Sequence, residues 1–304
     1  MPELPDIALY IDALEARIAG RRLKKIALKS PFLLRSVSPP IREAEGRRAT
    51  GLRRLGKRIC IGLEGDLWLV LHLMIAGRLH WAEDTPKSFG KREMAVLTFE
   101  NGHLTLTEAG SKKRASLYLV DGEAGLAAHD PGGLDVLAAD REAFTERLTS
   151  ANHTLKRALT DPRLFSGIGN AYSDEILHAA GLSPVAMTGK LTDEEIARLH
   201  DATIKTLNHW IAELAARAGE GWPKKVTAFQ DAMAVHGRYG EACPVCGTRV
   251  QRIRHAANET NYCPRCQTGG KVLADRSLSR LLGRDWPKSI EELEERALAG
   301  RRER

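Results

Sequence analysis

The sequence predicts an α+β protein with an antiparallel β region first and a helical region after it. Between residues 22 and 120, short apolar runs alternate with turn residues such as those at 64–66, which is typical of strands joined by tight turns. Beyond residue 134 the apolar residues recur at helical spacing. Two Cys-x-x-Cys pairs in the last third predict a small metal-binding hairpin.

The amino-terminal part is expected to be one helix followed by a sandwich or barrel. Helical spacing connects a set of apolar residues near the start, namely Ile7, Tyr10, Ile11, Leu14 and Ile18. Pro5 or Asp6 would stand at the start of this helix, and Gly20 would end it. Short strand-like runs follow up to residue 120, among them 58–63, 67–73, 94–99, 104–107 and 117–120.

The remainder of the chain is expected to be mostly helical. Residues 128–133 read as a linker, and the capping box at 192–195 predicts the start of a long helix. Another amphipathic helix is predicted at 290–298, near the carboxyl end. Its simplest interpretation is a docking segment or a solvated tail.

The cysteine spacing predicts a zinc site. Cys243, Cys246, Cys263 and Cys266 form two knuckles, and each knuckle can supply two thiolates from one turn. Unpaired cysteines or two disulfides are the alternatives, although adjacent Cys-x-x-Cys pairs suit a metal better than independent cross-links. Cys60 alternates with isoleucines and is expected to be core packing.

The charge balance favours a polyanionic partner. Lys and Arg exceed Asp and Glu by seven, although a basic surface without a nucleic-acid role would give the same total. The first residues include Glu3 and Asp6 and do not resemble a signal peptide, and no apolar run approaches the ~20 residues of a membrane span. The cysteine usage fits a reducing cytoplasm.

Chemistry is expected first at the amino terminus. If Met1 is removed, Pro2 becomes a terminal secondary amine, with a reference pKa of about 8, that can attack an electrophilic sugar carbon. Glu3 beside it could transfer protons. The alternative is that Pro2 and Pro5 only lead into the helix.

Two further clusters could bind phosphates. Gly167 and Gly169 precede Asn170 between two helical stretches, so backbone N–H groups and an amide could face an anion there, with Lys156 nearby in sequence. Helix packing with a tight turn explains the glycines equally well. Lys57 lies in a basic run at the start of a strand, where a phosphate contact and a solvated cation are both open.

These motifs together resemble the formamidopyrimidine-DNA glycosylase and endonuclease VIII family. The resemblance covers residues 2 to 270, in order, and rests on several motifs: Pro2-Glu3-Leu4-Pro5, Gly56-Lys57, His72-Leu73, Gly167-Ile168-Gly169-Asn170, Asp174-Glu175 and the 235–241 run before the cysteines. Each motif alone is weak, but their joint order and spacing are improbable by chance.

The resemblance implies four parts: a β-sandwich catalytic domain at 1–128, a helical domain with a helix–two-turn–helix motif at 134–235, a zinc finger at 236–270 and an extension at 271–304. It also implies a monomer that flips a damaged nucleotide out of DNA. Pro2 would attack the sugar, Glu3 would move protons, and β- or β,δ-elimination would cut the strand. The implied location is the cytoplasm of a bacterium, at the nucleoid.

The resemblance assigns phosphate contacts to Lys57, Lys156 and Asn170, but several positions depart from the family pattern. Asp6 replaces a glutamate, Ile75 replaces a methionine wedge, and the run 108–114 replaces a segment with an arginine and a phenylalanine. One basic residue of that run could take over the arginine's role.

The zinc finger and the segment before it, residues 219–235, also depart from the family pattern. Asn258 occupies the place of a DNA-contacting arginine, for which Arg252 or Arg254 could compensate. In the purine-specific branch of the family this segment before the finger covers the flipped 8-oxoguanine, and here it looks too short to do so. Oxidised pyrimidines, formamidopyrimidines or abasic sites are therefore favoured as substrates. A catalytically weak or silent protein that binds lesions is the alternative function. A zinc-ribbon transcription factor would leave the amino-terminal motif unexplained.

Overall fold

The structure, a computed structural model, describes residues 1–255 and 258–302. The chain forms two compact units, Met1–Gly133 with Asn208–Ala228, and Leu134–Leu207 with Phe229–Arg304. The predicted helical domain, 134–235, includes residues 208–228, which group with the first unit by contacts. The four predicted domain ranges stay a prediction.

Besides residues 208–218, the last part of a long helix, the first unit contains two four-stranded antiparallel sheets and two helices. In chain order these are α1 Leu4–Ile18, β1 Leu23–Leu28, β2 Ala49–Leu55, β3 Arg58–Leu63, β4 Leu67–His72, β5 Gly77–Ala82, β6 Glu93–Phe99, β7 Gly102–Glu108, β8 Ser116–Asp121 and α2 Gly122–Ala127. One sheet has the order β1-β6-β7-β5 and the other β2-β3-β4-β8. The α+β class with an amino-terminal β-sandwich is therefore confirmed.

The central strands β3 and β4 are buried on both faces, which explains their continuous apolar runs. On one face, Cys60, Trp68 and Val70 pack with Leu126 of α2. Cys60 is fully buried, as the sequence predicted, and burial raises the pKa of its thiol to about 12.

Three strands of the first unit, β1, β2 and β5, are not among the strand-like runs named from the sequence, and all three are edge strands. β1 and β5 are the two edges of one sheet, and β2 is an edge of the other. Their side chains are partly exposed and include several lysines and arginines, so no continuous apolar run marks them. Charged residues on edge strands are common because they prevent pairing with another chain.

The second unit is helical and contains the hairpin between the cysteine pairs. Its elements are α3 Arg141–Thr149, α4 Leu155–Thr160, α5 Asn170–Ala180, the first part of α6 Asp193–Ala218, β9 Gln251–His255, β10 Asn258–Tyr262, α7 Pro264–Thr268, α8 Arg276–Leu282 and α9 Ile290–Arg302. The predicted capping box opens α6, because the Thr192 hydroxyl accepts the Glu195 N–H (3.3 Å) and the Glu195 carboxylate accepts the Thr192 N–H (3.0 Å). The predicted terminal helix exists and extends to Arg302.

Candidate active site and metal centre

The first turn of α1 fixes the geometry of the amino terminus. Glu3 caps the helix and forms a reciprocal capping box with Asp6, in which Asp6 Oδ2 accepts the Glu3 N–H at 2.8 Å. Pro2, Glu3 and Asp6 are all buried. The backbone that connects Pro2 to the helix is therefore held in one conformation.

The electrostatics of this terminus favour an uncharged amine. Burial lowers the pKa of the Met1 ammonium, and the cations of Arg78 and Lys57 lower it further, while Glu3 and Asp6 act in the opposite direction. Burial also raises the pKa of Asp6 to about 7. The structure thus brings Lys57, Glu3 and the amino terminus into one electrostatic environment.

Lys57 lies in the turn between β2 and β3, where Gly56 adopts a positive φ of 60°. The lysine is half-buried, and its charge also acts on His72. Burial, together with Arg58 and Lys57, lowers the pKa of His72 to about 4. His72 is therefore neutral at pH 7, and the positive charge near it comes from Arg58 and Lys57.

A rigid turn presents Ile75, the residue at the expected wedge position. Met74 has a positive φ of 52°, and a Cβ on Gly77 would come within 2.2 Å of the Leu73 carbonyl oxygen, so only glycine fits there. Arg78 donates to the carbonyls of Gly77 (2.6 Å) and Ile75 (3.2 Å). Ile75 is 58% exposed on this turn, whose carbonyl groups are held by Arg78.

A second loop is closed by Glu108. Its buried carboxylate accepts the N–H groups of Arg114 (2.9 Å) and Ala115 (3.1 Å), and Lys113 Nζ donates to its carbonyl. Lys112 is exposed at the tip, so it is the lysine of this run whose side chain faces solvent.

In the second unit, Lys156 and Asn170 are close together. Lys156 Nζ lies 2.6 Å from the Asn170 carbonyl oxygen and 2.5 Å from Asp174 Oδ1, and the lysine side chain is 14% exposed. The Asn170 amide donates to the Glu259 carbonyl at 2.9 Å. Both residues are therefore tied to neighbouring elements at the amino-terminal end of α5.

Sequence reasoning missed the role of Asp174 and Glu175 as site residues. Asp174 Oδ2 accepts from His236 Nδ1 (2.8 Å) and the Asn261 N–H (3.1 Å). Glu175 accepts three successive backbone N–H groups, those of residues 234–236. The signal available in the sequence was the pair of adjacent acids itself, because acidic side chains are rarely buried unless they have partners and both of these lie in a largely buried helix.

The finger hairpin exposes one of its two arginines more than the other. Arg252 pairs with Glu259 at 3.2 Å and stacks over the Tyr239 ring at 4.1 Å. Arg254 is exposed, and its N–H donates to Asp275 at 2.7 Å. Asn258 is also exposed, at the start of β10. Of the two candidates for compensating the neutral Asn258, Arg254 is the better placed.

The four predicted cysteines converge. Their sulfur atoms all lie within 4.8 Å of one another, with Cys246–Cys263 at 3.4 Å and Cys243–Cys266 at 3.9 Å. A tetrahedral zinc with Zn–S bonds of about 2.3 Å needs sulfur pairs about 3.8 Å apart, so four thiolates at these positions fit the ion. The zinc site is confirmed. Its ligands leave no open position, which makes it structural.

The segment after α6 is fixed to the first unit. The Trp222 indole donates to the Leu79 carbonyl at 3.1 Å, and its ring packs against Tyr10 and Trp81. Arg17 stacks over the same ring at 5.6 Å.

Within residues 1–255 and 258–302, no helix is both long and apolar enough to cross a membrane.

Three family models match the chain in order. They are the formamidopyrimidine-DNA glycosylase N-terminal domain at residues 1–114, its H2TH domain at 133–218 and the zinc finger found in FPG and IleRS at 240–269. This order of domains defines a DNA repair glycosylase that also has lyase activity.

Relatives match at full length. The formamidopyrimidine-DNA glycosylase of Heliobacterium modesticaldum is 32% identical over 284 residues, which cover 88% of this chain and 100% of the relative. A Mycobacterium tuberculosis protein described as uncharacterized and formamidopyrimidine-DNA glycosylase-like is 40% identical over 150 residues, 49% of this chain and 93% of its own. The chain belongs to the formamidopyrimidine-DNA glycosylase family.

Solved structures agree. Lactococcus lactis Fpg bound to abasic-site DNA superposes with a TM-score of 0.77 at 27% identity, covering 88% of this chain and 99% of that one. MutM bound to DNA containing carbocyclic 8-oxo-G gives 0.76, again at 27% identity, over 88% and 100%.

Proposed function

We propose that this chain excises oxidised bases from DNA and then cuts the abasic strand, with Pro2 as the nucleophile. The observation that supports it most directly is the buried start of the chain: Pro2 and Glu3 are buried, and burial lowers the pKa of the Met1 ammonium one residue before Pro2, with Arg78 and Lys57 acting in the same direction. A neutral amine is the form that can attack a sugar carbon.

In the proposed reaction, the Pro2 nitrogen forms a bond to the sugar C1′ carbon as the bond to the damaged base breaks. Glu3 transfers protons as the sugar ring opens and an iminium forms. Loss of a proton from C2′ then breaks the C3′–O bond, which is β-elimination, and a δ-elimination can release the other phosphate. Water finally hydrolyses the iminium and restores Pro2.

The phosphate contacts are proposed to come from both units. Lys57 would contact phosphate in the first unit, and Lys156, Asn170, Arg254 and Asn258 in the second. Such contacts fix the position of the flipped nucleotide without reading the base sequence. Zinc holds the hairpin that presents Arg254 and Asn258, and takes no part in the bond-breaking steps.

We further propose that the preferred substrates are oxidised pyrimidines, formamidopyrimidines and abasic sites. Trp222 ties the start of the short 219–235 segment to β5, which leaves little chain to close over an 8-oxoguanine. The proposed working form is a monomer at the nucleoid of a bacterial cytoplasm, because the chromosome is its substrate.

The test is borohydride trapping on a duplex with one abasic site. A protein whose amino terminus is blocked by a retained tag converts the Pro2 nitrogen into an amide, which cannot attack, so no adduct and no nicking are expected. The same tag at the carboxyl end is the matched control and should trap fully. Mass spectrometry of the untagged protein checks that Met1 is removed.

Two results would contradict the proposal. Equal nicking by the blocked protein would exclude Pro2 as the nucleophile. Failure of the processed, untagged protein to trap would leave lesion binding without catalysis. Run on duplexes with 8-oxoguanine, a formamidopyrimidine or an oxidised pyrimidine, the same assay measures the proposed preference.

A further inference from the structure

The C-terminal extension, residues 271–302, is built onto the finger hairpin. The Tyr262 hydroxyl accepts the Leu273 N–H at 2.7 Å, and Asp275 accepts the Arg254 N–H at 2.7 Å. The Ile290 N–H donates to the Gly270 carbonyl at 2.9 Å. Asp275 and Ile290 are both buried. The extension therefore has a defined place beside β9 and β10.

The compared relatives leave part of this chain unmatched. The alignments with Heliobacterium modesticaldum and Lactococcus lactis proteins cover essentially all of those chains but 88% of this one. The zinc-finger match ends at residue 269. An added segment of this length that packs on a DNA-binding element needs an explanation of its own.

The extension lies next to the residues proposed to contact phosphate. A depression of about 470 Å³ in the second unit is lined by Lys156, Arg157, Ile253, Thr260 and Ala274, among others. Ala274 belongs to the extension, and Lys156 is the lysine tied to Asn170. The extension thus borders the same surface as the helix–two-turn–helix lysine and the hairpin.

The charge of residues 271–288, the part of the extension before the acidic helix α9, fits a polyanion. Residues 271–288 contain five basic residues, Lys271, Arg276, Arg280, Arg284 and Lys288, against two acidic ones, Asp275 and Asp285. Arg280 and Arg284 are exposed and flank Leu281, which is 79% exposed, and Leu282, which is 44% exposed. Arginines beside apolar side chains are the pairing that proteins use in a DNA groove.

We propose that residues 271–288 form a second DNA-contacting element beside the finger, in which Arg280 and Arg284 neutralise backbone phosphates. This contact offsets the charge lost at Asn258, where the family pattern has an arginine. The inference rests on the proposed function, because it assumes that DNA lies along the finger. A protein partner at the leucine pair is the competing occupant, and the excess of basic residues favours DNA over it.

The experiment measures how the dissociation constant depends on salt, using the full zinc-loaded chain and a duplex with a tetrahydrofuran abasic analogue. Each phosphate contact contributes a slope of about 0.9 in log K against log salt, so Arg280→Ala with Arg284→Ala should reduce the slope by about 1.8. Arg280→Lys with Arg284→Lys keeps both charges and should keep the slope. Lys205→Ala, at an exposed lysine of α6 outside the extension, should also leave it unchanged.

An unchanged slope in the double alanine variant would overturn the proposal and leave Leu281 and Leu282 as a protein-docking surface. Zinc content and the far-ultraviolet spectrum of each variant check that it has folded. Borohydride trapping by the wild-type chain is the separate test of the proposed function. Trapping with an unchanged slope would reject this inference alone.

Discussion

Asp6 shows how much one buried carboxylate can change the behaviour of a site. Its Oδ2 atom accepts the Glu3 N–H, and it is fully buried next to the proposed nucleophile. Burial raises its pKa to about 7, far above the ordinary value of 3.8. A shorter side chain than the glutamate of the family pattern therefore places a group that titrates near neutral pH beside Pro2 and Glu3.

Asp6→Asn should change how stability depends on pH. Between pH 4 and 7 the unfolded chain loses the Asp6 proton while the folded chain keeps it, so wild-type stability falls as pH rises. The asparagine does not titrate and can still accept the Glu3 N–H. From pH 5 to 8 the variant should gain roughly 3 kcal/mol relative to wild type.

Urea unfolding followed by tryptophan fluorescence measures this difference, because four of the five tryptophans lie in the first unit. A difference between variant and wild type that is the same at pH 5 and pH 8 would show that Asp6 is ionised in the folded state throughout this range.

At the scale of elements, α5 organises the second unit through two adjacent acids. Asp174 connects α4, through Lys156, with β10, through Asn261, and with the segment before the finger, through His236. Glu175 binds the backbone of residues 234–236. A helix that is buried on nearly every side thus positions both Lys156, the lysine proposed to contact phosphate, and the finger.

Glu175→Gln should loosen the segment at 234–236. A glutamine has one acceptor oxygen and places an NH2 group against N–H donors, so at least one buried N–H loses its partner. The expected cost is about 2–3 kcal/mol of unfolding free energy, with faster amide hydrogen exchange at these three residues.

Glu213→Gln is the matched control, since Glu213 forms an exposed pair with Arg217 within α6. Its expected effect stays below about 1 kcal/mol. Similar costs in the two variants would mean that the three N–H contacts contribute little to the fold.

At the scale of the whole molecule, zinc is expected to couple the finger to DNA binding. The hairpin has a small core, formed around the cysteines by Val235 and Val250. Such a hairpin depends on its metal, because the thiolates are brought together only in the folded state.

Removal of zinc by a chelator at mildly acidic pH should release one ion per chain. It should also abolish protection from hydrogen exchange in β9 and β10, and affinity for abasic DNA should fall with it. Cys60→Ala is the control, because Cys60 lies in the first unit and should not change the zinc stoichiometry. Full DNA affinity in the zinc-free chain would contradict this coupling.

The sequence by itself determined the features that depend on neighbours along the chain. The cysteine spacing identified the zinc ligands, the spacing of residues 7–18 identified α1, and Thr192 with Glu195 marked the start of α6. The ordered motifs identified the family. These signals are local, because a knuckle, a helix face or a cap is formed by residues a few positions apart.

Only the tertiary structure decided what depends on distant residues. The edge strands, the burial that raises the pKa of Asp6, the contacts of Asp174 with three other segments, and the packing of the extension on the hairpin could not be read from the chain. These four features arise from burial and from pairing between residues far apart in sequence. Burial and pairing set both the charge of a side chain and the surface that it faces.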